Sequence, residues 1–258
     1  MCMKDRESIP SLWYQSDPQR LNQTTIPLGW VTMVEPLRPY SANLFAIIGS
    51  SGVGRDTLID AMMSLNPSIA RIRRTTTREQ RYPGESLRID SRSEESFASI
   101  QENQNLLCPY RYPANDKWYG IPFDELSKIT NGPAILEGTA EPLPIKRLLP
   151  NSTTVIIVPE SFTQLQTQLV NRDGDTAETH RRVARSQREL ALLVNRIPSL
   201  LQANLIDGII INNDTPERVA QRTFMQMETK NWETIIQSQL QNDVSDYLSA
   251  WNSNVTTL

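Results

Sequence analysis

The chain has 258 residues, 38% of them hydrophobic, with 26 basic against 29 acidic side chains and a formal net charge of -3. That is the make-up of a globular protein with an ordinary core. One histidine, His180, and two distant cysteines, Cys2 and Cys108, argue against a multi-histidine zinc site and against a disulfide framework. No apolar run approaches the roughly 20 residues of a membrane helix, and the N-terminus lacks an apolar signal region. The expectation is a cytoplasmic protein without a membrane partner, and the negative balance speaks against nucleic acid as the main ligand.

Residues 1–42 hold five prolines, Trp13 and Trp30 without a sustained period, and read as an irregular extension whose tryptophans pack on the core. From Asn43 the pattern changes. Leu44–Ile48 is a short apolar run, followed by a glycine-rich turn and then Leu58, Ala61, Met62 and Leu65 at helical spacing, stopped at Asn66-Pro67. Further buried strands are expected at Ala134–Glu137, Thr153–Val158 and Gly208–Ile211, each followed by helical periodicity. Ser161 suits a helix cap, a helix is expected from near Ala177, and Thr215-Pro216-Glu217 suits a helix start before Ala220, Phe224 and Met227, on a last helix that also carries Met225. The two methionines read as core filler.

Strands alternating with helices imply an α/β fold with a parallel sheet covered on both faces. The segment 75–122 breaks that rhythm. It is rich in turns, carries short strand-like pieces near Arg88–Asp90 and Leu106–Tyr112, and reads as an inserted lobe. Residues 241–258 read as a polar tail.

There are 21 arginines and only five lysines, and ten of the arginines fall in two windows. One window holds Arg71, Arg73, Arg74, Arg78 and Arg81; the other holds Arg172, Arg181, Arg182, Arg185 and Arg188. Guanidinium groups grip phosphate oxygens in pairs of hydrogen bonds, so the clusters point to small phosphorylated ligands; two solvated faces would give the same composition. On a helix from Ala177, Arg181, Arg185 and Arg188 form a stripe, opposite much of the apolar set Val183, Leu190, Leu193 and Ile197.

The strongest motif is Gly49-Ser50-Ser51-Gly52-Val53-Gly54-Arg55-Asp56-Thr57, between an expected strand and an expected helix. Glycines let successive backbone N–H groups converge on one point, and the helix N-terminus adds partial positive charge, which makes a cradle for nucleotide phosphates. The usual pattern is G-x-x-x-x-G-K-[ST]; here Arg55 stands for the lysine and Asp56 for the hydroxyl residue. Arg55 can reach a transferred phosphate, and Asp56 can hold Mg2+ or repel phosphate. His180, a lone histidine beside the second arginine window, reads as solvated, and Cys108 as a small lobe residue.

In this order the motifs resemble the guanylate kinase superfamily over roughly residues 44–227. Thr75-Thr-Thr-Arg78-Glu-Gln-Arg81-Tyr-Pro-Gly84-Glu85 resembles the segment that grips the acceptor phosphate, with one residue inserted, and Trp118-Tyr119-Gly120 resembles the tyrosine motif that joins the grip. Arg172-Asp-Gly174-Asp with Arg181-Arg182-Val-Ala-Arg185 resembles the lid, and Asn213-Asp214 the pair beside the adenine of ATP. The resemblance implies a P-loop nucleoside-monophosphate-kinase-like three-layer parallel sheet spanning 43–240, with an acceptor lobe at about 75–122 and an arginine-rich lid at about 171–182. ATP and Mg2+ are the implied cofactors, and a small phosphorylated acceptor the implied partner.

On that basis Arg55, Arg172, Arg182 and Arg185 are expected to be catalytic. Gly49 through Thr57, with Asn213 and Asp214, are expected to bind the nucleotide. Arg74, Arg78, Arg81, Tyr119 and Glu137 are expected to bind the acceptor, and Asp56 or Glu137 the metal.

The departures concern the acceptor. Guanylate kinases read guanine with a serine four residues before the first acceptor arginine, where this chain has Arg74, and with a lobe glutamate, where it has Pro109 or Tyr110. The strand-end aspartate falls at Glu137, and Ile89 replaces a second tyrosine. Asp56 in the loop, and Gln104–Leu107, Ala114-Asn115 and Trp118–Gly120 in the lobe, resemble one branch, the ribose 1,5-bisphosphate phosphokinases that form phosphoribosyl diphosphate. That activity is the first expectation. A guanylate or other nucleoside monophosphate kinase with an altered base pocket, and a non-catalytic guanylate-kinase-like binding module, are the alternatives.

Overall fold

The computed structural model describes residues 26–112, 115–138 and 142–229. In chain order it comprises α1 (Leu28–Val34), a 3-10 turn (Glu35–Asn43), β1 (Leu44–Ile48), α2 (Arg55–Leu65), β2 (Ala70–Ile72), β3 (Arg74–Thr76) and β4 (Ile89–Ser91). Then come α3 (Glu94–Glu102), β5 (Leu106–Tyr112), β6 (Lys117–Pro122), α4 (Phe123–Leu126), β7 (Ala134–Gly138) and α5 (Pro142–Leu148). The last elements are β8 (Thr153–Pro159), α6 (Phe162–Asp173), α7 (Ala177–Gln202), β9 (Gly208–Asn212) and α8 (Pro216–Thr229).

The fold is mixed α/β on a parallel central sheet of order β2-β7-β1-β8-β9. Ala70 pairs with Ala134 and Ile72 with Leu136 in parallel, as do Val155 with Gly208 and Val158 with Ile211. β1 and β7 are buried at every position. A strand without a solvent side needs cover on both faces, which is why these stretches read as unbroken apolar runs. A second sheet, β4-β3-β6-β5, occupies the segment expected to be a lobe. In it β5 and β6 pair antiparallel, with an irregularity between Leu107 and Tyr110 where Cys108 takes φ +50°.

The chain divides into two compact units. Among the described residues, the first comprises 26–46 with Ser68–Ser152, and the second Ile47–Pro67 with 153–229. The core of the first includes Trp30, Val34, Leu37, Leu107, Cys108, Ile121 and Leu136. In the second, α2 turns Leu58, Ile59 and Met62 inward. α7 buries Val183, Ser186, Leu190, Val194, Ile197 and Leu200, a seam at spacings of three and four that gives this 26-residue helix one dry face.

Caps sit where side-chain chemistry placed them. The Ser161 hydroxyl accepts from the Gln164 N–H at 3.1 Å, and the Thr176 hydroxyl from the Thr179 N–H at 3.1 Å.

Two readings of the sequence are corrected. The end of the supposed irregular extension is helical, because Trp30, Val34 and Leu37 lie at i, i+4, i+7 and all three are buried. Pro36 does not prevent this, since it sits in the first turn of the 3-10 segment, where its missing N–H has no partner to lose. Met225 is not core filler: it is 66% exposed, and α8 buries Val219, Ala220 and Thr223 instead. The rest of the extension, with Trp13 and Cys2, and the polar tail lie outside the described residues.

Candidate functional site

Two constellations of charged side chains stand out, one within each unit. In the second unit β1 ends at Ile48 and the glycine loop leads into α2. Gly52 and Gly54 take φ of +88° and +90°, a region that L side chains rarely adopt. A Cβ on Gly52 would lie 2.7 Å from the Leu169 side chain, and one on Gly54 2.5 Å from Asn212 Nδ2. The loop is therefore pressed against α6 on one side and the end of β9 on the other. Gly54 stands at the N-cap of α2 and, lacking a side chain, makes no side-chain cap bond to its first turn. Such a glycine cradle at an uncapped helix start fits a polyphosphate.

The loop is held from behind by amides. Asn212 Nδ2 donates to the Val53 carbonyl at 2.9 Å, Gln164 Nε2 donates to the Asn212 carbonyl at 2.8 Å, and Gln164 Oε1 accepts from the Glu160 N–H at 2.7 Å. Asn212 escaped the sequence reading, which stopped one residue later. Asn213 and Asp214 face away into the start of α8: Asn213 Oδ1 accepts from Arg222 at 2.9 Å, and Asp214 accepts from Arg222 at 3.2 Å and from the Thr215 N–H at 2.8 Å. The only signal for Asn212 was its place as the last strand residue before the pair.

The segment expected to be a lid runs from the end of α6 through Gly174, at φ +81°, into α7. Arg182 reaches the loop, with Nη2 donating to Ser51 Oγ at 3.1 Å and Nη1 lying 2.8 Å from Asp173 Oδ2. Arg172 grips the same carboxylate through Nε at 2.9 Å and Nη2 at 3.1 Å. Of the other arginines in this window, Arg181 pairs with Glu178 at 3.0 Å on the exposed face, and Arg188 bonds back to the Ala184 carbonyl at 3.3 Å. Arg185 is half-buried on the same helix. His180 is exposed and 2.7 Å from Asp175, as expected of a solvated surface histidine.

The first unit gathers the other window. Arg74 and Arg71, both buried, face Glu137 at 3.5 and 4.0 Å. The Arg74 guanidinium also lies 5.7 Å from the centroid of Tyr119, whose ring stacks on Tyr110 at 5.5 Å. The Tyr119 hydroxyl accepts from Asn115 Nδ2 at 2.8 Å. Arg78 forms a fork on Glu85, at 2.8 and 3.1 Å, and the Arg81 N–H donates to the same carboxylate at 2.7 Å.

Burial opposes the Arg78 charge, yet the bonds and field of Glu85, with the Tyr119 hydroxyl, outweigh it and raise the guanidinium above its ordinary value. Burial likewise pushes the Glu85 carboxyl up, and the Arg78 and Arg81 bonds bring it below the usual carboxylate range. Arg73 departs from its neighbours to Glu125, through its backbone N–H and Nε, both at 2.8 Å. Lys128, at 2.5 Å, adds to these in lowering the Glu125 carboxyl against its burial.

Of the expected acceptor residues, this unit brings Arg74 and Glu137 together with Tyr119, and Arg78 together with the Arg81 backbone. Among the described residues no cluster of three or more metal-ligating side chains occurs. Asp56 is half-buried in the first turn of α2, where a carboxylate is favoured by the helix dipole and where one carboxylate can join phosphate oxygens around Mg2+. Glu137 faces guanidinium groups, a poorer setting for a metal ligand.

No protein-family model matches the chain. It is similar to the guanylate kinase of Synechococcus sp. (strain CC9902), 26% identical over 195 residues that cover 73% of this chain and 98% of that protein. The guanylate kinase of Prochlorococcus marinus subsp. pastoris is 28% identical over 184 residues, covering 68% and 92%. Among solved structures, the guanylate kinase from Anaplasma phagocytophilum superposes with a TM-score of 0.51 at 15% identity, over 76% of this chain and 94% of that one. The likeness in structure agrees with the P-loop fold derived above, and among the described residues no helix is long and apolar enough to cross a membrane.

Proposed function

We propose that this chain, a P-loop kinase by fold and by kinship in sequence, transfers the terminal phosphoryl group of ATP to a small phosphorylated acceptor. The observation that carries the reading is the contact of Arg182 with Ser51 of an uncapped glycine loop. It places a guanidinium beside the loop whose N–H groups would hold phosphates. ATP would supply the phosphoryl group, and Asp56 would be the protein ligand of Mg2+, which when bound would offset the charge of the phosphate oxygens.

The chain's own part is positioning and neutralisation, which is most of what phosphoryl transfer asks of a protein. The first-turn N–H groups of α2 and the Arg55 fork hold the donor phosphates. Arg182, Arg172 and Arg185 spread positive charge along the equatorial oxygens of the moving group. In the first unit Arg78 and Arg81, set by Glu85, and the Tyr119 hydroxyl hold the acceptor phosphate. A cytoplasmic location accords with ATP as the donor.

The relatives support a nucleoside monophosphate as acceptor, GMP first. A second reading, ribose 1,5-bisphosphate as acceptor, is supported by one observation. Arg74 occupies the position expected to read guanine and is engaged with Glu137 and the Tyr119 ring. A guanine edge offers N–H donors and needs an acceptor group, which a guanidinium cannot supply. The relatives weigh toward GMP, the Arg74 pair toward an acceptor without guanine.

Purified protein with Mg2+-ATP and GMP, dGMP, AMP or ribose 1,5-bisphosphate, assayed for acceptor-dependent ADP, separates the two. ADP with GMP alone selects the first reading and ADP with ribose 1,5-bisphosphate alone the second. No ADP with any acceptor overturns the kinase proposal in favour of a binding module that has lost the loop lysine.

A further inference from the structure

Asp173 is the last residue of α6, and a carboxylate there meets the negative end of the helix dipole, an unfavourable placement. Gly174 follows at φ +81° and ψ 165°, and a Cβ there would approach only Thr176, at 4.0 Å. Glycine is required at this point by backbone conformation rather than by crowding, so the carboxylate stands directly before a turn that only glycine makes easily.

What offsets the unfavourable position is a pair of guanidinium groups. Arg172 takes both Asp173 oxygens and Arg182 takes Oδ2, so one carboxylate lets two like charges lie side by side. Both side chains of the Arg182–Asp173 pair are about one quarter exposed, at 24% and 26%, so the pair is neither fully solvated nor sealed. The second Arg182 nitrogen is on Ser51. The fork is thereby divided: Nη1 is fixed by the lid's own carboxylate, and Nη2 is turned toward the phosphate loop.

We propose that Asp173 is a positioning residue of the donor site: it holds Arg172 and Arg182 as a pair and aims the Arg182 fork at the loop, where Ser51 stands in for a phosphoryl oxygen. This rests on the donor reading given above.

Two opposed effects follow. Because Asp173 is a negative charge near the phosphates and competes with them for the same N–H groups, removing it strengthens ground-state nucleotide binding. Because it orients the fork, removing it weakens stabilisation of the moving group, an interaction that matters only in the transition state. General damage to the lid lowers both quantities together and cannot produce opposite signs.

The test uses the full chain and Asp173→Ala and Asp173→Asn variants, with the dissociation constant of the fluorescent nucleotide mant-ATP measured in parallel with kcat on the acceptor turned over. For Asp173→Ala the mant-ATP Kd is expected to fall at least 2-fold while kcat falls about 10-fold. Asn keeps one acceptor oxygen without the charge, so Asp173→Asn is expected to recover kcat to within about 3-fold with the tighter Kd retained. An Asp173→Ala variant whose Kd rises or stays unchanged, or whose kcat does not fall, overturns the positioning role. Wild-type protein that binds no mant-ATP overturns the donor reading itself, and the role of Asp173 with it.

Discussion

The two arginine windows are alike in composition and opposite in setting. In the first unit Arg71, Arg74 and Arg78 are drawn inward and each meets a glutamate: Arg78 and Glu85 have side chains only 11% and 6% exposed, and Arg74 and Glu137 only 8% and 6%. In the second unit Arg172 and Arg182 share Asp173, nearer the surface, and the side chain of Arg172, at 50%, is half in solvent. The difference follows from where each window sits. Arg71 and Arg74 belong to short strands with no fully solvated face, whereas Arg181, Arg182, Arg185 and Arg188 ride on one long helix whose dry seam is already filled. A buried pair is rigid and costly to break, and an exposed pair is cheap to exchange. The first suits a fixed grip, the second a group that changes partners.

That contrast is open to direct attack. The largest effect is expected from Glu85→Ala, which leaves Arg78 buried without its carboxylate and removes the bond to the Arg81 N–H: a loss of about 3–5 kcal/mol in urea unfolding. A loss under about 1 kcal/mol would mean that the grip is not fixed in the sense argued here. Arg182→Ala should do the reverse, lowering kcat about 100-fold, or about 2.7 kcal/mol in the transition state, while leaving stability within about 1 kcal/mol. Equal losses of stability for the two variants would erase the distinction between the units.

Acid should also separate them. The Glu85 and Glu125 carboxyls lie below their ordinary value of 4.5 in the folded chain, so their contribution to stability is complete above about pH 4.5 and is lost as pH falls through the depressed folded values. Thermal unfolding followed from pH 7 to 3 is expected to show a Tm that drops below pH 4.5, and the Glu85→Gln variant should show a shallower drop. An identical profile for that variant would remove Glu85 from the account. The smallest change is expected from Asn212→Ala, which frees the Val53 carbonyl at a cost of about 1 kcal/mol. Because the loss falls on the loop, it should appear as weaker mant-ATP binding; unaltered binding would show that Gly52 and Gly54 need no support from β9.

Much of the fold was legible because its signals are local. Apolar runs marked β1, β7, β8 and β9, and Ser161 and Thr215-Pro216 marked helix starts through chemistry confined to one turn. The end of the N-terminal extension was misread because its prolines hid a helical spacing at Trp30, Val34 and Leu37. Met225 was misread because α8 turns a neighbouring face, at Val219, Ala220 and Thr223, toward the core. Both errors are of phase, and phase is set by what an element packs against.

By itself the sequence determined the alternation of strands and helices, the glycine loop and the two arginine windows, since backbone preference, periodicity and composition act over a few residues. It could not determine which arginine meets which carboxylate. Arg73 goes to Glu125, Arg74 to Glu137, Arg78 to Glu85 and Arg182 to Asp173 and Ser51, although neighbouring arginines look interchangeable as text. Those pairings join residues up to 131 positions apart and depend on strand register and helix phase. Only the tertiary structure, by deciding which guanidinium groups are buried and which are left at the surface, divided one kind of residue into an inward set and a surface set.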